Sequence, residues 1–185
     1  MKTVFIGGSR RISRLNDQIR SKLAEIIDRQ LQILVGDANG ADRAIQTQLA
    51  EWHYPHVTVY FVGSRPRNNE GAWPLLRVPT PKGLKGFDFY SVKDRQMAIE
   101  ADCGMMLWDG ESRGTLANVM NLVRDEKPVA VYISKQRRFV SARTPAEVDT
   151  LGIRSAEPSI AEAMQSELPL GIPRKPARKH RRRTA

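Results

Sequence analysis

Apolar positions along this chain follow two alternating periods. The runs Thr3 to Ile6, Leu31 to Val35, Val57 to Val62, Cys103 to Trp108 and Val129 to Ile133 have the length and apolar content of buried strands, and Val57 to Val62 is rich in β-branched and aromatic residues. Between them, apolar residues recur at intervals of three and four. Ile19, Leu23, Ile26 and Ile27 form one helical stripe within Leu15 to Gln30, and Ile45, Leu49 and Trp52 a second, starting from Ala41. A third helix is expected from Phe89 to Ala101, and a fourth from Thr115 to Glu126, striped by Leu116, Val119, Met120 and Val123. Strands alternating with single helices imply parallel pairing through right-handed crossovers. The predicted fold is therefore α/β: a Rossmann-like doubly wound parallel sheet of about five strands with helices on both faces.

The rhythm breaks between Gly63 and Asp88, where Pro66, Gly71, Pro74, Pro79, Pro81, Gly83 and Gly86 crowd together. So long an irregular stretch reads as a lid or binding loop, with a short helix around Trp73 to Leu76 as the alternative. After the fifth strand, Thr144-Pro145-Ala146-Glu147 is a capping box that opens a short helix ending at Gly152, and Ser159-Ile160-Ala161-Glu162 opens another. From Leu168 the chain is proline-rich and basic, with no apolar face to bury. The expected organisation is one domain over residues 1–167, with a core of 1–133, a helical extension of 134–167 and a disordered tail of 168–185.

Charge sharpens this division. Of the net +10, seven positive charges lie between Arg174 and Ala185, which leaves only +3 for the rest of the chain. The tail is an expected contact for nucleic-acid phosphates, non-specific and salt-dependent, or else a solubilising end. No apolar run is long enough for a membrane. The single cysteine, Cys103, excludes an internal disulfide and fits a cytoplasmic setting; in its apolar run it reads as a buried hydrophobe. His53 and His56 have no metal-ligand spacing, and no motif asks for a metal or a cofactor.

The candidate chemistry lies in the loops after the first, second and fourth predicted strands, all on one edge of the sheet. Gly7-Gly8-Ser9-Arg10 lets backbone approach a ligand, with Arg10 or Arg11 available to a phosphate. Gly36-Asp37-Ala38-Asn39-Gly40-Ala41-Asp42 turns directly into a helix, where Asp37 and Asp42 suit the dipole and Asp42 could equally orient a ribose. Gly110-Glu111-Ser112-Arg113-Gly114-Thr115 points helix N–H groups at an anion, with the Ser112 and Thr115 hydroxyls as further donors. Neither a dinucleotide fingerprint nor a Walker loop is present, which disfavours a dehydrogenase or an ATPase. Asp109, beside a glycine at the end of a strand, is a functional candidate, whereas Asp102 suits a turn. Trp73 either stacks on a base or packs its own loop down.

These loops resemble those of the SLOG superfamily, which unites the Lonely Guy phosphoribohydrolases, DNA-processing protein A and YpsA-related bacterial proteins. The resemblance rests on Val4-Phe5-Ile6-Gly7-Gly8-Ser9-Arg10, Gly36 to Asp42, Asp94-Arg95-Gln96-Met97 leading to Ala101-Asp102, and Trp108 to Thr115. It spans Met1 to Ile133 and implies a Rossmann-like fold holding a nucleotide or nucleotide derivative. The enzymes of the superfamily carry Pro-Gly-Gly-x-Gly-Thr-x-x-Glu and a nearby arginine. Here Gly114-Thr115 match, Asn118 stands in the glutamate position, and the arginine corresponds to Lys93 or Arg95.

The expected function is a nucleotide-binding or sensing protein. Its phosphate and ligand contacts would come from Gly7, Gly8, Ser9, Arg10, Gly36, Asp37, Asp42, Arg95, Gly110, Ser112, Arg113, Gly114, Thr115 and Asn118. Two alternatives stay open: an N-glycosidase acting on nucleoside monophosphates, with Glu111 or Asp109 supplying the carboxylate, and nucleic-acid binding through residues 174–185. The expected partner is a nucleotide-like small molecule, and a homo-oligomer is left open.

Overall fold

A computed structural model describes residues 1–150. The Gly152 helix stop, the helix expected from Ser159 and the basic tail lie outside the described residues. The chain runs β1 (Thr3–Gly8), α1 (Asp17–Asp28), β2 (Gln32–Gly36), α2 (Ala41–Glu51), β3 (Val57–Phe61), β4 (Leu75–Arg77), α3 (Gly86–Glu100), β5 (Cys103–Trp108), α4 (Arg113–Arg124), β6 (Val129–Ile133), β7 (Arg138–Ala142) and α5 (Pro145–Thr150). The strands form a single sheet in the order β4-β3-β2-β1-β5-β6-β7. All neighbours are parallel except β6 and β7, which form an antiparallel pair.

The strand sequences show why helices cover both faces. Successive side chains of a strand point to opposite faces. Val4 and Ile6 of β1 therefore join one core with Ile33, Val35, Val59 and Leu107, under Ile19 and Leu23 of α1 and Ile45 and Leu49 of α2. Phe5 joins the other core with Leu34, Tyr60, Met106 and Val131, under Val92 and Met97 of α3 and Val119 and Leu122 of α4. Continuous apolar strands are needed because neither face meets water. No helix among the described residues is long and apolar enough to cross a membrane.

The sheet has seven strands where five were expected, and both additions lie at its edges. β4 falls in the Gly63 to Asp88 segment, where a helix around Trp73 to Leu76 was the alternative. Leu75 to Arg77 instead pair with Val59 to Phe61, and prolines at 74 and 79 confine the strand to three residues. Trp73 packs its loop down: its ring is buried and Nε1 donates to the Tyr54 carbonyl at 2.8 Å, while the Asn69 side chain bonds both the N–H and the carbonyl of Trp73. β7 occupies part of the expected helical extension and returns from β6 through a 3-10 turn at Ser134–Gln136, with Arg137 left-handed at φ 50°.

Two glycines test the packing of the edge that matters below. A Cβ at Gly8 would lie 2.5 Å from the Leu107 carbonyl oxygen and 2.9 Å from Cβ of Ala41, whereas one at Gly83 would meet nothing. Gly8→Ala is expected to cost about 2–3 kcal/mol in urea unfolding. Gly83→Ala, which carries only the penalty of its φ of +89°, is expected to cost about 1 kcal/mol. Equal losses would contradict this account of the edge.

Candidate functional site

The chain leaves β1 towards β2 on one side and later returns to β5 on the other. The strand order thus reverses between β1 and β5, and a crevice opens beyond their carboxyl ends. The loops after these strands are bonded to each other. Ser9 N–H donates to the Leu107 carbonyl at 2.9 Å, and Ser9 Oγ donates to Asp109 Oδ2 at 2.6 Å. The Ser9 carbonyl accepts the N–H of Ala41, the first residue of α2. Gly40, at φ +85°, lies directly on the backbone of Arg10. Gly8 and Gly40 are therefore occupied in fitting chain against chain. The side chain of Arg10 is exposed, and Gly7 lies over the Phe5 ring.

In the loop from β5 to α4, the protein fills part of its own anion site. Asp109 Oδ1 accepts the N–H groups of Glu111 and Ser112 at 3.0 and 2.7 Å, while Oδ2 takes the Ser9 hydroxyl. Burial works against this charge, but these hydrogen bonds outweigh it and hold the carboxyl below its usual range. Glu111 is exposed and bridges Arg11 and Lys135, the latter at 3.0 Å, and the two cations depress its pKa. The aliphatic part of Lys135 lies against Gly110, at φ +89°. Ser112 caps α4 by accepting the Thr115 N–H, and the Thr115 hydroxyl donates to Ser112 Oγ at 2.9 Å.

What this loop leaves open is the first turn of α4 itself. The N–H groups of Arg113 and Gly114 have no intrahelical acceptor. A Cβ at Gly114 would touch only the Phe87 ring, at 3.5 Å, so the turn is open on that side. Asn118 lies one turn further along the same stripe and points back towards the N-terminus, as helical side chains do. It is 8% exposed, yet its carboxamide makes no hydrogen bond among the described residues. Trp108 Nε1, at the end of β5, is fully buried without an acceptor among the described residues. Such a fully buried polar atom without a partner is uncommon and costs about 1–3 kcal/mol.

A second polar cluster lies beneath the β2 end of the same edge. Lys93 of α3 is 3% exposed and pairs with Asp94 Oδ1 at 2.6 Å. A Cβ on Gly36 would fall between Asp42 Oδ2 and Lys93 Nζ, so the glycine clears the space these charges use. Asp37 holds Arg67 by two side-chain bonds, at 2.6 and 3.0 Å, and by the Arg67 N–H. Three carboxylates thus face two cations. Burial opposes the charge of Asp37, but the Arg67 bonds prevail and lower its pKa. Burial likewise opposes the Lys93 charge, and Asp94 and Asp42 more than restore it. The odd carboxyl is Asp42, which burial pushes up to about 6 against the pull of Lys93.

Arg67 also ties the long segment after β3 to this edge, and its guanidinium lies 4.5 Å from the centre of the Tyr90 ring. Asn68 donates to the Asp37 carbonyl, and Arg43 pairs with Glu70 at 2.9 Å. The segment is thus a strap pinned by its own polar bonds. Arg95, further along α3, donates to Ser91 Oγ at 3.3 Å. Asp102 lies at the opposite end of the sheet and accepts the Thr3 N–H. A groove between α1 and β7, lined by Asp17, Ser21, Lys22, Glu25, Arg138 and Phe139, opens elsewhere. Its charges are mixed and partly self-paired, so the crevice edge is the better candidate.

No known protein family and no curated protein matches the sequence. Among solved structures, DNA processing protein A from Helicobacter pylori is similar, with a TM-score of 0.55 over 89% of this chain and 79% of that one. The two share a Rossmann-like fold. At 17% identity the likeness speaks for the fold alone.

Of the residues singled out from sequence, the structure gathers Ser9, Arg10, Asp109 and residues 110–118 at the crevice, with Gly36, Asp37 and Asp42 one strand away. Arg67, Phe87 and Tyr90 join the same edge without any motif to announce them. Arg67 meets Asp37 across thirty positions, and the two aromatics show only as apolar residues off the buried stripe of α3.

The raised Asp42 pKa has a measurable consequence. The folded protein holds this proton up to about pH 6, whereas the unfolded chain releases it near 3.8. Its contribution to stability is therefore present below pH 4 and lost as the pH rises through 6. Between pH 4 and pH 7 the wild type is expected to lose about 2–3 kcal/mol more than Asp42→Asn in urea unfolding. Parallel profiles would contradict the assignment.

Proposed function

We propose that this chain is a nucleotide-binding protein of the SLOG type, with the ligand phosphate on the first turn of α4. A single observation carries the reading: the Asn118 carboxamide, unpartnered among the described residues, lies one turn below the open Arg113 and Gly114 N–H groups. Two donors with a dipole end suit a phosphate, and the amide suits a ribose hydroxyl or base edge. The domain of residues 1–167 and a cytoplasmic setting belong to the same reading.

The arrangement favours binding over catalysis. N-glycosidic cleavage calls for a carboxylate at the sugar, and α4 offers the neutral Asn118 there. Asp109 is committed to Ser9 and to two loop N–H groups, and Glu111 to Arg11 and Lys135.

Nucleoside monophosphates at a hundred times their dissociation constant should stabilise the fold by about 2.7 kcal/mol, read as a rise in melting temperature. Gly114→Asp places a carboxylate in the open space and should weaken binding at least tenfold. The unliganded melting temperature should hold, because an acid suits a helix N-terminus. An unchanged ligand-induced shift in the variant would remove the site. Release of free base by the wild type would replace binding with the N-glycosidase reading.

A second reading has one support from the comparisons. The Helicobacter pylori protein has a single-stranded DNA binding mode, and seven basic residues between Arg174 and Ala185 would serve such a function here. Removal of residues 174–185 should then reduce oligonucleotide affinity at least tenfold at 50 mM salt and flatten its salt dependence. Unchanged affinity would exclude the tail as the contact.

A further inference from the structure

The helices α3 and α4 both begin at the carboxyl edge of the sheet and pack side by side on the same core. α3 brings two large aromatic residues there that the core does not use: Phe87 is 51% exposed and Tyr90 42%. Between them in sequence, Phe89 packs against the core and meets Tyr90 edge-on, with ring centres 5.2 Å apart. Phe89 thus anchors the turn while Phe87 and Tyr90 face outwards, three positions apart on one side of the helix. Their placement relative to α4 is close. The Phe87 ring lies 3.5 Å from where Gly114 would carry a Cβ, directly beside the open first turn. One face of Tyr90 carries the Arg67 guanidinium, which Asp37 fixes with two side-chain bonds.

We infer that Phe87, flanked by the Tyr90–Arg67 stack, is the platform on which the ligand's nucleobase stacks, so that the site selects aromatic nucleotides over simple sugar phosphates. This inference rests on the phosphate reading above. The chemistry suits it. A base presents a π face to Phe87, and the buried Asn118 below offers one donor pair and one acceptor to a sugar or base edge. Arg67 and Arg113 supply positive charge around an anionic ligand. Stacking also accounts for two aromatic rings left half in water beside a well-filled core. Scattered single hydrophobic residues need no explanation, but a pair set against an open helix end and a stacked guanidinium forms a surface with a direction.

Calorimetric titrations with AMP, ribose 5-phosphate and inorganic phosphate separate the parts of this inference, using the full chain, Phe87→Leu and Tyr90→Leu. Leucine keeps apolar bulk and removes the π face, and at these exposed positions the melting temperature should hold. AMP should bind the wild type at least tenfold more tightly than ribose 5-phosphate, in line with what one base–aromatic stack supplies. Phe87→Leu should remove about tenfold of AMP affinity and leave ribose 5-phosphate unchanged, with a smaller loss in Tyr90→Leu. Equal binding of AMP and ribose 5-phosphate by the wild type would overturn the platform while leaving the phosphate site standing. Equal loss of both ligands in Phe87→Leu would also overturn it, because the ring would then serve only to shape the α4 turn. If none of the three probes binds, the platform and the phosphate site fall together.

Discussion

The seam between β1 and β5 governs the rest of this molecule. β1 is the central strand, the chain doubles back around it, and its last residues must fit between α2 on one side and β5 on the other. Gly8 meets that demand by leaving room for the Leu107 carbonyl, and Ser9 locks it by bonding Leu107 and Asp109. The crevice beyond the seam is a consequence of strand order, so its position is fixed by topology. Its contents are set by which loop groups the protein satisfies internally and which it leaves over.

Seen this way, the polar residues of the edge divide by their partners. Asp109, Ser112 and Thr115 satisfy one another and the loop backbone; Glu111 satisfies Arg11 and Lys135; Asp37 holds Arg67. These groups give the edge its rigidity. Among the described residues, Asn118 and the first N–H groups of α4 are left without partners on the stripe of α4 that starts at the open Gly114, and the Trp108 ring nitrogen is left without one in the core at the end of β5. A preorganised site needs both kinds of group: a rigid frame and unsatisfied donors aimed at one place. The buried cluster around Lys93 adds to the frame, with Asp42 as the carboxyl that its two cations do not cover.

The sheet and its helices were legible because buried parallel strands must be apolar throughout and amphipathic helices must carry a stripe. Thr3 to Ile6 and Val129 to Ile133 show the first, and Leu116 to Val123 the second. β4 and β7 were not, since edge strands are short and patterned by local pairing: Leu75 to Arg77 sits between prolines, and Arg138 to Ala142 shows no long apolar run. In the site, the glycine and serine loops were legible as loops, but their use was not. Sequence spacing cannot show that Asp109 fills the nest its own loop makes, or that Gly36 yields space to Lys93. Nor does it bring Phe87 to Gly114, because that meeting depends on two helices starting at the same sheet edge.

The central claim is that the first turn of α4 is where a ligand's phosphate lands. Amide chemical shifts recorded by NMR during a titration with a nucleoside monophosphate test it residue by residue. The account predicts that the largest movements fall on the backbone N–H groups of Arg113, Gly114 and Thr115 and on the side-chain amide of Asn118. Changes confined to the groove between α1 and β7, with these four residues unmoved, would contradict it.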